Sequence, residues 1–237
     1  MGKNLIQQKR GKGTSTYRAP SFRYAGKAAH HKSKEQMLKG KVEDLIHCQG
    51  HSAPLMIVKY NEESNLMIAP DGIRVGQELS IGKGSDISPG NTLTLGEIPE
   101  GTAVYNIESK PGDGGKFVRS SGASARVVSK LKEKVVIKLP SKKLKEFPAN
   151  CLATIGMVAG SGRTEKPLLR AGNKYYKMKA KNKLWPNVSG MSMNAVNHPF
   201  GSKGSHTKGR PTQAPRNAPP GRKVGKIAPR RTGRKKG

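Results

Sequence analysis

The sequence predicts a mainly β protein, built as two small barrels with long irregular basic extensions at both ends. Three observations predict it. Apolar residues come in short runs bounded roughly every eight to twelve residues by Gly, Pro, Asn or Asp. No segment carries a convincing helical apolar stripe. Every Asp and Glu lies between Glu35 and Glu165. Residues 1–34 hold nine Lys and Arg and no acid, residues 35–165 hold 17 against 15, and residues 166–237 hold 19 and none, within a net charge of +30 over 237 residues. The centre is nearly neutral and long enough to bury a core. The ends repel themselves and need a counter-charge, so the expected partner is a polyanion.

The first strands read off the centre are Pro54 to Tyr60 and Asn65 to Ala69, a hairpin across Asn61-Glu-Glu-Ser64 closed by Pro70-Asp-Gly72. Ile73-Arg-Val75 and Glu78 to Ile81 continue the meander. A break rich in Gly and Pro, Gly82 to Asn91, places a domain boundary near residue 90. A second set of strands follows at Thr102 to Glu108, Arg126 to Val128, Lys134 to Leu139 and Cys151 to Ile155. One helical turn is expected at Ser33 to Leu38, and helix content should be low.

Several function classes find no support. The longest apolar run, Ala53 to Val58, is far short of a membrane span and is broken by Pro54. The N-terminal residues Lys3, Lys9 and Arg10 flank no apolar stretch, and Cys48 and Cys151 are too few for a disulfide framework, so a reducing, cytoplasmic setting is expected. Lys110-Pro-Gly-Asp-Gly-Gly-Lys116 resembles a phosphate loop but has Lys110 where the first Gly belongs and Phe117 where Ser or Thr belongs. His47, Cys48 and His51 offer soft ligands, yet no second pair completes a zinc site. Gly190-Met-Ser-Met-Asn194 lacks the closing glycine of a nucleophile elbow. No enzymatic activity, metal or cofactor is expected, apart from magnesium that accompanies RNA.

The extensions space Arg and Lys with Gly, Pro, Ser and Thr, which lets a backbone follow an irregular anionic surface. Tyr17-Arg18, Phe22-Arg-Tyr24 and Lys174-Tyr-Tyr-Lys177 set rings beside cations, where bases can stack. Prolines 211, 215, 219, 220 and 229 stiffen the C-terminal segment. Three classes fit this chemistry: a structural binder of folded RNA, a free RNA chaperone or translation factor with barrel domains, and an enzyme acting on RNA. The last needs a carboxylate or metal cluster, which the charge map confines to residues 35–165.

The segments Leu184-Trp-Pro-Asn-Val-Ser-Gly-Met-Ser-Met-Asn-Ala-Val-Asn-His-Pro-Phe-Gly201 and Arg216-Asn-Ala-Pro-Pro-Gly-Arg-Lys-Val-Gly225 resemble the large-subunit ribosomal protein L-two family in its archaeal and eukaryotic form. Gly11-Lys-Gly13, Asn106 to Gly112, Arg119 to Ala125, Leu139-Pro-Ser141 and Ala153 to Gly156 extend the resemblance over essentially the whole chain. It implies a basic extension at residues 1–34, an OB-like barrel at 35–89, an SH3-like barrel at 90–182 that is basic from 166, and a basic extension at 183–237 that penetrates ribosomal RNA.

The implied role is that of a primary rRNA-binding constituent of the large ribosomal subunit. It would support subunit association, tRNA placement and the architecture of the peptidyl transferase centre. The implied partners are large-subunit rRNA, other ribosomal proteins and, through an intersubunit bridge, the small subunit, with no membrane involved. The residues expected to meet rRNA are Lys9, Arg10, Lys12, Tyr17, Arg18 and Arg23; Arg119, Ser120, Ser121, Arg126 and Arg163; and Trp185, Met193, Asn194, Asn197, His198, Lys203, Arg216, Arg222, Lys223, Arg230, Arg231 and Arg234. His198 matches a family histidine to which a part in peptide bond formation has been ascribed. Asn197, Pro199 and Gly201 around it describe a rigid turn, and no carboxylate follows Glu165 to orient it, so a structural contact with RNA is expected.

Overall fold

A computed structural model describes residues 6–31, 37–202, 206–207, 209–231 and 233. They form two compact units, one from Ser21 to Leu168 and one that joins the described residues up to Pro20 to those from Leu169 onward.

In the first unit ten strands share one continuous ladder. β1 (Leu38–Ile46) pairs antiparallel with β2 (Leu55–Tyr60) and β4 (Glu78–Ile81), and β2 pairs with β3 (Glu63–Ile68). The β2–β3 hairpin turns on two residues rather than four: Tyr60 already opposes Glu63, and Asn61 takes the left-handed conformation at φ 53° that Asn tolerates in a tight turn. β5 (Thr92–Thr94) meets β4 in the ladder's one parallel contact, Ile81 opposite Thr92. β6 (Ala103–Tyr105), β7 (Ala125–Lys130), β8 (Lys134–Lys138), β9 (Leu144–Pro148) and β10 (Leu152–Ile155) complete the order β3-β2-β1-β4-β5-β10-β6-β7-β8-β9.

The apolar pattern finds most of these strands and misses β1, β5 and β9. β1 alternates as expected of a strand, but one of its inward positions is Gly40, which lies against the Tyr60 ring with no room for a Cβ. Its ladder shifts register between Val42 and Asp44. β9 buries only Phe147. Two expectations fail. Ile73-Arg-Val75 is no strand: Gly72 and Gly76 bracket it at positive φ, and Val75 is exposed. Leu38, the end of the expected helical turn, begins β1; residues 33–36 lie outside the described residues.

Two buried clusters fill the two halves of the ladder. One gathers Val42, Met56, Val58, Tyr60, Met67, Leu79 and Ile81; the other gathers Leu93, Leu95, Ile98, Val104, Ile107, Val127, Val135, Ile137, Phe147 and Ile155. A third, with Ala28, Cys48, Leu55, Ile68, Tyr105 and Val158, joins them, and the Tyr105 hydroxyl donates to the Ile68 carbonyl at 3.1 Å. The chain is mainly β, and its separate cores suit two barrel-like halves.

The second unit contains α1 (Ile6–Gly11), α2 (Ala171–Ala180) and a two-residue parallel pair, β11 (Gln213–Ala214) with β12 (Lys226–Ile227). α2 buries no residue and so leaves no apolar stripe to find in the sequence. It ends in a Schellman motif: Asn182 sits at φ 53°, its N–H reaches the Lys179 carbonyl at 3.1 Å, and the Lys183 N–H reaches that of Met178 at 2.9 Å. Lys177 and Lys179 in the last turn favour the negative end of the helix dipole.

Candidate RNA-binding surface

The loop that resembled a phosphate site is already filled by its own carboxylates. Glu108, 1% exposed, accepts the amides of Gly112 at 3.1 Å, Gly114 at 3.0 Å and Leu152 at 3.0 Å. Asp113 accepts those of Ser109 and Gly115 at 3.0 Å and Lys110 at 3.2 Å. Desolvation opposes the charge on Asp113, but these amides and Lys116 together hold its carboxyl below the ordinary value. A phosphate would find no amide nest here, so the loop is a structural turn organised around two internal anions.

Arg119 secures that turn from the other side. One guanidinium nitrogen donates to the Gly115 carbonyl at 2.7 Å and the other to that of Ala28 at 2.8 Å. Ala28 is buried, and its neighbour His30 donates from Nε2 to the Asn106 carbonyl at 2.6 Å. Arg119 thus ties the segment before β1 to the second half of the ladder. Ser121 is buried and accepts from Arg163 Nε at 2.5 Å, while Gly122, at φ 70°, packs on Ser161 with no space for a side chain. Ser120, Arg126 and Arg23 remain exposed, with Arg23 5.4 Å from the Phe22 ring.

His47, Cys48 and His51 do not converge into a metal site. Cys48 is buried, and its Sγ lies 3.2 Å from His51 Nδ1. Burial, with Arg119 as a smaller cause, holds His51 below its ordinary pKa. Among the described residues no group of three metal-ligating side chains forms.

The second unit is purely cationic, with 23 Lys and Arg in residues 1–20 and 169–237 and no Asp or Glu. Lys9 and Arg10 occupy the last turn of α1, and Lys12 and Arg18 follow, all exposed beside half-buried Tyr17. Trp185 is half-buried with the Lys174 ammonium 5.4 Å from its ring, a cation–π contact from α2 that sequence spacing did not reveal. Tyr175 and Tyr176 stand exposed as an edge-to-face pair.

His198 sits in a close-packed turn. Its own N–H reaches the Asn194 carbonyl at 3.2 Å, as does that of Asn197 at 2.9 Å, and the Ser202 N–H returns to Met193 O at 3.1 Å. The imidazole covers Gly190, where a Cβ would fall inside the ring's envelope, and lies 5.1 Å from the buried Phe200 ring, tilted 58° to it. Phe200 in turn lies against Gly225, next to β12. The glycines flanking these motifs mark the contacts, a signal the sequence carried without showing which ring each one meets. Arg222 donates from Nη2 to the Gln213 carbonyl at 3.3 Å, and its Nη1 is buried with no partner among the described residues. Lys223 is half-buried, whereas Arg216, Arg230 and Arg231 are exposed. Lys203 and Arg234 lie outside the described residues.

A mainly β unit whose one phosphate-like loop is filled by its own carboxylates, together with a purely cationic unit bearing exposed rings, defines a protein suited to a large polyanion. Residues 88–219 match the family described as Ribosomal Proteins L2, C-terminal domain. The chain is 51% identical over 236 residues to the large ribosomal subunit protein uL2 of Haloarcula marismortui, covering 99% of this chain and 98% of that protein. It is 51% identical over 235 residues to the uL2 of Methanocella arvoryzae, covering 98% and 99%, and 51% identical over 241 residues to that of Methanosphaera stadtmanae, covering both chains fully. The chain belongs to the ribosomal protein L2 family.

Proposed function

We propose that this protein is a structural constituent of the large ribosomal subunit that binds rRNA directly. The observation that carries this reading is its end-to-end likeness to proteins named as large ribosomal subunit protein uL2. The charge arrangement supports it: a unit of 23 cations without one carboxylate needs an external anion, and the buried Nη1 of Arg222 has no acid in its own unit to meet. Phosphates supply that charge at close spacing. The exposed rings of Phe22, Tyr175 and Tyr176 offer stacking faces to unpaired bases.

In this reading the protein works in ribosomes in the cytoplasm, beside other ribosomal proteins. It supports subunit association, tRNA placement and the geometry of the peptidyl transferase centre, and it contacts the small subunit through a bridge. Its contribution is architectural. Phe200 N–H donates to His198 Nδ1, so the neutral ring carries its proton on Nε2, where it can donate to RNA, and burial lowers the ring's affinity for a second proton. No cofactor is required beyond magnesium that travels with rRNA.

The test is sedimentation followed by omission. Tagged full chain should travel with large subunits on a gradient. Subunits reconstituted without it should bind small subunits and tRNA poorly, and adding the chain back should restore both. A chain that stays at the top of the gradient, or subunits that perform equally without it, would refute the reading.

A further inference from the structure

The near-neutral centre is polarised. Residues 126–146 hold eight Lys and Arg against two Glu, whereas the rest of residues 35–165 holds nine against 13, so β7, β8 and β9 with their turns concentrate the positive charge of that stretch. β9 ends the ladder, and among the described residues no strand pairs with its outer side. The phase of the edge follows from the turn. The Leu139 N–H donates to the Lys143 carbonyl at 2.9 Å, so Ile137 with Lys145, and Val135 with Phe147, form the hydrogen-bonded pairs. The alternate residues Leu144 and Glu146 therefore direct their N–H and C=O groups away from β8. Pro148 lacks an N–H and gives its carbonyl to Cys151 at 3.1 Å, which closes the open stretch at that end.

The side chains along this edge are not those of an edge built only to repel. Such edges place Lys or Pro outward, and Pro148 ends this one, but the strand opens with an outward Leu144, 62% exposed, before Glu146. The register sets Arg126, Lys138 and Leu144 in one outward row and Ser129, Val136 and Glu146 in the next, with Val128, 44% exposed, at the register shift beside them. Lys145 turns inward instead, its ammonium 4.1 Å from the Phe117 ring. The result is an apolar diagonal, framed by cations, next to two unpaired peptide groups.

We propose that the outer edge of β9 docks an extended acidic segment of another protein, which pairs with Leu144 and Glu146 and sets carboxylates against Lys138, Lys142 and Lys143. RNA fits less well. A phosphate backbone would answer the lysines but offers no amide donors at the strand repeat of about 3.4 Å, and it would press charged oxygens against Leu144 and Val128. The assignment does not depend on the rRNA contacts proposed for the other unit.

The test places p-benzoylphenylalanine at Leu144 of the full chain in cells, with the same label at exposed Val75 as control. The Leu144 label should join one polypeptide, through a segment of net negative charge, that the Val75 label does not capture. RNA as the joined species, a basic partner segment, or no discrete product would overturn the proposal. In the recovered complex, amide exchange at Leu144 and Glu146 should slow at least about tenfold relative to free chain, and unchanged exchange would also overturn it. Leu144→Pro removes one outward N–H without touching the bonds to β8, and should cut recovery of the partner about tenfold. Leu144→Asp keeps the backbone intact and repels an acidic segment, so it should give the same loss even if the proline variant disturbs β9. Full recovery with Leu144→Asp would refute the proposal.

Discussion

The backbone N–H of Phe200 donates to Nδ1 of His198 across 3.0 Å. That bond assigns Nδ1 the acceptor role and leaves Nε2 as the protonated atom, while burial holds the ring below its ordinary pKa. Asn at position 198 can imitate the Nδ1 acceptor, and Gln the reach of Nε2; Ala does neither. In fully occupied subunits His198→Asn and His198→Gln should retain peptidyl transfer within a few-fold, and His198→Ala should mainly lower occupancy. General acid–base catalysis is worth about 10²–10⁴-fold. A hundredfold loss in single-turnover rate at normal occupancy and normal tRNA binding would therefore make the imidazole a reacting group.

Arg119 bonds two carbonyls from distant parts of the chain, so its removal should be felt as stability. Arg119→Ala loses both charge-assisted bonds and should cost about 2 kcal/mol, lowering Tm by about 4–8 °C for a chain of this size. Arg119→Lys should fall between, because an ammonium cannot bridge both acceptors in one plane. Calorimetry of free protein checks this. An unchanged Tm with weakened RNA binding would make Arg119 an RNA contact instead.

Glu108 serves three amides with two oxygens. Glu108→Gln replaces one oxygen by a donor that faces an N–H, so at least one buried amide loses its acceptor at a cost of about 1–3 kcal/mol. Hydrogen exchange at Gly112, Gly114 and Leu152 should accelerate while exchange in β2 stays unchanged. Equal exchange in both proteins would mean that the loop holds its shape without the carboxylate.

His30 is buried, and desolvation is the largest cause of its lowered pKa, opposed by its bond to Asn106. Between that depressed value and the ordinary 6.5 the unfolded chain binds a proton that the native chain refuses. Its contribution to stability is therefore complete above 6.5 and is lost as pH falls below it. His30→Gln keeps a donor for the Asn106 carbonyl and cannot titrate. The stability of this variant should fall less steeply on acidification through that window, as measured by urea unfolding. His51 and His198 retain their own share of the slope.

Affinity for rRNA fragments should fall steeply with salt. Replacing Arg18, Arg216, Lys223 and Arg230 together by Gln should flatten the log–log slope by about 0.7 for each phosphate that is no longer neutralised, on the single-strand scale. A slope that does not change would place the electrostatics outside these four residues.

The positive charge that calls for an anionic partner, the β character of the centre and the family resemblance were all legible in one dimension, because charge partition and strand spacing survive there and the motifs after Lys183 are long. The sequence also located the hairpin of β2 and β3, where short continuous apolar runs bounded by turn residues pack into the cores. Where that spacing is silent, the elements emerge only from the tertiary structure. β1 alternates but gives an inward position to Gly40, which lies against a tyrosine ring, β9 buries a single phenylalanine, and α2 buries nothing and ends in a Schellman motif. The tertiary structure likewise decided which charges are free. Arg119 looked like the other arginines, and Lys110 to Lys116, which fails the phosphate-loop template, did not show what fills it. Yet two carbonyls hold the first, and Glu108 and Asp113 fill the second. A polar group declares its partner only once folding brings together residues as distant as Ala28 and Arg119, because an unmet donor in a low-dielectric interior takes whichever acceptor the fold delivers.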